Sequence, residues 1–277
     1  MLDCKPCPVN NDSIGERWQV VDEDNLAKLV AVISMGQAKQ VSYILETLGE
    51  AVPAFTNEDL CAEAKIKLTV EEPAGNPRGG YPRWQRDGYI FEIISWIAAK
   101  IAYGNDVLIK SPHVSATSQG LDGLMLELTE DRRKIYRATL LEDKCTNDPK
   151  ATFDNKVVPA FIARQSNKRS AEIIDAAATL LSGAGLEDHE AAQASADVTD
   201  KSIRSFRAAF SLPESFDNQP SRSDLFSTFK KVDCASAPNR VGATFITSIE
   251  MRDWFDQFAE KVRDKLDLFL KEKVQNV

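Results

Sequence analysis

A chain of 277 residues with 43% hydrophobic side chains has enough apolar material for one sizeable core. Its net charge of −8 and pI of about 5.0 exclude a protein that holds nucleic acid by bulk positive charge, though not one with a local basic groove or a basic partner. It lacks an apolar run of the roughly eighteen residues that a spanning helix needs, so no membrane partner is expected.

The first residues, 1–14, read as a loose leader, and 15–277 as a single domain. Residues 1–11 lack the basic-then-apolar pattern of a secretion signal, so a cytoplasmic location is expected. Cys4, Cys7, Cys61, Cys145 and Cys234 are an odd count without a disulfide framework. Cys4 and Cys7 have the spacing of half a zinc site, but no second ligand pair is evident, and His113 and His189 are far away in sequence. Reduced thiols on a frayed terminus are the expected state.

A short strand is expected over 18–21, then one helix over 24–48, where Leu26, Leu29, Val30, Ile33, Val41, Ile44 and Leu45 recur near helical spacing. Residues 64–70 read as a strand, and 71–83, with three prolines and a Gly-Gly pair, as a loop. Asp87 is placed to cap a helix over 89–103 that stops at Gly104. That helix is apolar almost all round, which marks it as buried, and Glu92 stands inside it without a local partner. A strand over 106–110 and a polar loop over 111–119 lead into a hairpin.

After the hairpin come a loop over 144–155, a largely helical stretch over 156–181, and one or two helices over 187–210. A proline-bearing loop over 211–223 precedes a β-branched strand over 241–248. The last helix, 250–273, places Met251, Trp254, Phe255, Phe258, Val262, Leu266 and Phe269 on one stripe. This order predicts an α/β fold with a central mixed sheet, flanking helices and a helix-rich C-terminal part over 156–277.

The hairpin carries the chemistry. It runs from Ser118 to Cys145, with Asp122-Gly123 opening one strand pattern and Glu142-Asp143-Lys144 closing the next. Alternation puts Tyr136, Ala138, Leu140, Glu142 and Lys144 on one face and turns Asp143 away. Pairing through the Glu130–Arg133 turn brings Asp122 opposite the Glu142 region. Two carboxylates with phosphate and water oxygens make a Mg²⁺ site, and the adjacent Lys144 serves to orient or deprotonate water and to offset phosphate charge. Glu92 is a candidate third carboxylate, because burying a lone charge costs several kcal/mol unless it is paired or metal-bound.

Each element has a plainer reading. Glu142–Lys144 fits a solvated strand end, Asp122-Gly123 a turn, and Glu92 a solvent-facing stripe. Arg132, Arg133 and Lys134 fit a charged turn or a contact to a DNA backbone. His113 reads as a loop hydrogen-bonding residue, with no catalytic triad around it.

Taken together, Glu92 on a helix, Asp122 at a strand and Glu142-x-Lys144 on the next strand resemble the PD-(D/E)xK nuclease superfamily over roughly residues 85–165. The proline usually written before the first Asp is absent, since Leu121 stands there. The resemblance implies a restriction-endonuclease-like core and a Mg²⁺- or Mn²⁺-dependent deoxyribonuclease. In that scheme Asp122, Glu142, Lys144 and Glu92 are catalytic, with Asp122, Glu142 and Glu92 on the metal. The Ser-Gln-Gly-Leu-Asp-Gly-Leu approach, the Glu-Asp-Lys-Cys end and the acidic flanks are similar to the HamA family, the nuclease subunit of the Hachiman anti-phage system. That likeness implies DNA as substrate and a helicase as partner. The competing expectations are a sequence-specific restriction endonuclease, and a non-catalytic subunit that docks through the 250–273 helix.

Overall fold

The chain begins in a hairpin in which β1 (Leu2–Asn10) runs antiparallel to β2 (Ser13–Val20). A computed structural model describes residues 1–73, 75–104, 106–117, 120–233 and 236–275; Ser118, Gln119 and Cys234 lie outside the described residues. The loose leader expected over 1–14 is thus ordered strand. Pro6 and Pro8 disguise it, but β1 is an edge strand, where a missing N–H can face away from the ladder.

α1 (Glu23–Ser34) and α2 (Ala38–Thr47) replace the single helix expected over 24–48. Gly36, at φ 82°, breaks it in a left-handed conformation that glycine adopts without strain. α3 (Glu58–Leu68) occupies most of the segment whose alternation predicts a strand. Asn57 caps it by accepting from the Leu60 N–H at 2.9 Å, and Cys61, Ala64 and Leu68 bury along one helical face.

α4 (Arg83–Tyr103) starts before its expected cap. Asp87 is an interior residue of that helix, fully buried between Arg86 and Arg252. Three antiparallel strands follow, β3 (Val107–Ile109), β4 (Gly123–Leu128) and β5 (Ile135–Lys144).

The expected loop over 144–155 is helical in its second half. α5 (Pro149–Thr152) passes through a π turn into α6 (Val158–Gln165), and α7 (Ser170–Gly183) and α8 (Asp188–Ala194) come next. Part of the helix predicted over 187–210 is instead strand β6 (Arg204–Pro213). β6 is central and buried on both faces, so it lacks the alternation that marks a half-exposed strand. α9 (Gln219–Leu225) lies in the expected 211–223 loop, and β7 (Arg240–Thr247) and α10 (Met251–Gln275) close the chain.

The seven strands form one mixed sheet in the order β1-β2-β7-β6-β5-β4-β3. The four middle strands are parallel, and an antiparallel hairpin or meander finishes each side. The protein is therefore α/β, with helices on both faces. α1, α2, α3, α4 and α10 share one core with Trp18, Leu141 and Phe245. α6 to α9 share the other with Leu140, Phe206 and Phe210. The α10 stripe from Met251 to Phe269 is buried in the first core, so it is not a free docking face. Among the described residues no helix is long and apolar enough to cross a membrane.

Candidate active site

Leu140 belongs to one core and Leu141 to the other, so alternation along β5 fixes the faces of the next three residues. Glu142 and Lys144 point to the α6 side and Asp143 to the α4 side. The ladder pairs Gly123 with Leu141, which sets Asp122 beside Glu142. Gly123 is needed for that approach, because a Cβ there would lie 2.6 Å from the Leu141 side chain.

Lys144 ties the acids together. Its Nζ is 2.7 Å from Asp122 Oδ2 and 2.7 Å from Glu142 Oε2. Asp122 Oδ2 also accepts from the Asp143 N–H at 3.3 Å. Burial pulls the Lys144 pKa down, but the Asp122 and Glu142 carboxylates outweigh it and leave the ammonium held above its ordinary value. The other Glu142 oxygen accepts from the guanidinium of Arg164 on α6, and both side chains are buried. Arg164 is a site residue that sequence reasoning missed; its only signal is a charge within an otherwise amphipathic helix.

Asp143, set aside by alternation, is the buried acid of the opposite face. Ser95 Oγ donates to its Oδ1 at 2.7 Å, and Arg207 Nη2 is 3.7 Å away. Arg207 is itself fully buried, donates to Ser95 Oγ at 2.5 Å and lies over the Trp18 ring at 5.0 Å. Burial pushes the Asp143 carboxyl up to about 7; Arg207 opposes the shift, and the Asp122 charge adds to it.

Glu92 is engaged elsewhere. Its Oε1 accepts from the His113 backbone N–H at 2.7 Å, and His113 Nδ1 is 2.9 Å from Oε1 and 3.2 Å from Oε2. The 111–117 loop thus folds back on α4 and supplies the partner that the helix lacks. Glu92 makes no hydrogen bond or ion pair to Asp122, Glu142 or Lys144.

Asp122 and Glu142 each present an oxygen to the same nitrogen, so their carboxylates converge on one point. That donor set, hard and anionic, suits Mg²⁺ or Mn²⁺. Among the described residues no three His, Cys, Asp or Glu side chains come together closely enough to hold an ion. Lys144, Arg164 and His113 take up the acids instead. Arg132, Arg133 and Lys134 are exposed at the far end of the hairpin, away from Asp122. Cys4 and Cys7, three residues apart on a strand, fall on opposite faces.

No protein-family model matches this chain, and no curated protein matches its sequence.

Proposed function

We propose that the chain is a metal-dependent nuclease that hydrolyses phosphodiester bonds in DNA. The observation that carries this reading is the convergence of Asp122, Glu142 and Lys144 at the adjoining ends of β4 and β5. The order α4 with Glu92, β4 after Asp122 and β5 ending in Glu142-x-Lys144 supports a restriction-endonuclease-like core. In this reading Asp122 and Glu142 would hold Mg²⁺ or Mn²⁺, with Glu92 as the candidate third carboxylate. A bound divalent ion supplies Lewis-acid charge at the scissile phosphate and a lowered pKa for its water.

The chain's own residues do the rest. Lys144, kept protonated by its two acids, offsets phosphate charge and orients the attacking water. Its raised pKa favours this role over that of a base. Arg164 fixes the Glu142 rotamer from behind, which keeps the carboxylate aimed at the shared point. The resemblance to HamA extends the proposal to an anti-phage effector working with a helicase, which would supply the DNA affinity that a charge of −8 does not.

The test is cleavage of supercoiled plasmid by the purified chain, alone and with a helicase partner, in Mg²⁺, Mn²⁺ or chelator. Asp122→Asn, Glu142→Gln and Lys144→Met are each expected to reduce cutting at least about a hundredfold, the scale on which a transition-state charge contact acts, while leaving the circular dichroism spectrum intact. A Glu142→Gln protein that cuts as fast as wild type removes the proposal.

A further inference from the structure

Lys144 Nζ fills the point on which Asp122 Oδ2 and Glu142 Oε2 converge, 2.7 Å from each. The lysine leaves β5 two residues after Glu142 and on the same face, so the strand itself builds this contact. The Asp143 N–H holds Asp122 Oδ2 at 3.3 Å, and the Arg164 guanidinium holds the other Glu142 oxygen. Each carboxylate is thus aimed at the ammonium by a second donor.

The acids are already balanced. Asp122 and Glu142 face Lys144 and Arg164, two negative charges against two positive. The Lys110 ammonium adds a further attraction to Asp122. Among the described residues no third acid joins the pair, and Glu92 is held by His113. A divalent ion that entered with Lys144 in place would set two positive charges against an ammonium in van der Waals range. Glu142 is buried there and Asp122 and Lys144 half-buried, so little water screens the repulsion. With the ammonium gone from between the carboxylates, the same ion meets two hard anionic donors already aimed at one point. An ammonium and a divalent ion therefore compete for this position.

We propose that Lys144 is the resting occupant of the cation position between Asp122 and Glu142, an autoinhibitory contact that a divalent ion must displace. The proposal rests on the nuclease reading for the identity of the ion. It also joins two roles in one residue, because an ammonium released by both carboxylates is free to meet a phosphate.

The experiment is calorimetric titration of the full chain with MnCl₂, in the absence of DNA. Lys144→Met keeps the aliphatic stem and removes the charge. It is expected to bind Mn²⁺ about tenfold more tightly than wild type, the scale of two partly exposed ion pairs that no longer compete. Lys144→Arg is expected to bind as weakly as wild type. Asp122→Asn in the Lys144→Met background is expected to lose the gain; a gain that persists there lies at another site and overturns the proposal. The wild type supplies a second measurement that needs no variant to fold. Labelling with acetic anhydride, read by mass spectrometry, follows the ammonium itself. Excess Mn²⁺ is expected to speed acetylation of Lys144 and to leave that of the exposed Lys156 unchanged. Mn²⁺ affinity in Lys144→Met no tighter than wild type, or Lys144 labelling that Mn²⁺ does not alter, overturns the proposal. Both measurements are made without substrate, so the two readings separate. Tighter Mn²⁺ binding by Lys144→Met beside plasmid that the wild type never cuts defeats the nuclease alone. Metal-dependent cutting by the wild type without that gain in affinity defeats the autoinhibitory contact alone.

Discussion

Lys144 reaches from the end of β5 to Asp122 at the start of β4, its Nζ 2.7 Å from Oδ2. The two side chains are 27% and 24% exposed, so solvent screens part of the attraction. Removing the cation leaves Asp122 and Glu142 facing each other as like charges. Lys144→Met is therefore expected to lower stability by only about 1 kcal/mol, as for a partly exposed pair, while cutting falls at least about a hundredfold. Urea unfolding beside plasmid cleavage checks the split; a stability loss large enough to unfold the protein would mark Lys144 as structural.

The Glu142–Arg164 pair behaves differently because both partners are buried. Arg164→Met leaves a carboxylate in the interior with one cation fewer, at an expected loss of about 3–5 kcal/mol. Glu142→Gln in the same background removes the uncompensated charge. The double variant is expected to recover much of the loss, and additive losses in a double-mutant cycle would show that the pair is not coupled.

The hairpin was legible because its information is local. Asp122, Glu142 and Lys144 lie within one antiparallel pair, where strand alternation and a short turn fix the geometry. The partners of Glu92 and Glu142 were not legible, since His113 and Arg164 arrive from a loop and a helix whose placement no periodicity encodes. The same limit explains the fold errors. β1 hides behind two prolines tolerated on an edge strand, and β6 behind two buried arginines and a pair of alanines in a strand covered on both faces. The 64–70 alternation lost to tertiary packing of Cys61, Ala64 and Leu68.

Gly242 on β7 makes a packing prediction independent of function. A Cβ there would stand 2.6 Å from the Phe226 ring. Phe226 has little room to yield, since its centroid is 5.2 Å from that of Phe153 and 6.1 Å from that of Phe210. Gly242→Ala is expected to destabilise by about 1–3 kcal/mol through overpacking. Gly88→Ala, in α4 with nothing within 4 Å of the new methyl, is expected to stabilise by roughly 0.5–1 kcal/mol. Chemical denaturation of both variants reads the opposite signs; the same sign for both would contradict the packing.

Asp143 predicts how stability depends on pH. Its carboxyl titrates near 7 in the fold, against an ordinary value of 3.8, because burial disfavours the charged form more than Arg207 and Ser95 favour it. The native state therefore holds a proton that the unfolded chain has released. Its contribution is fully present below about 3.8 and is lost as pH rises through about 7. At roughly 1.4 kcal/mol per pH unit the loss amounts to a few kcal/mol. Asp143→Asn keeps the hydrogen bond with Ser95 available and cannot ionise, so it lacks this loss. The variant is expected to be less stable than wild type at pH 5, where it forgoes the native acid beside Arg207, and to close most of that gap by pH 8. Urea midpoints at the two pH values decide it. A gap that stays constant, or widens toward pH 8, would mean that Asp143 is already ionised beside Arg207 in the folded protein.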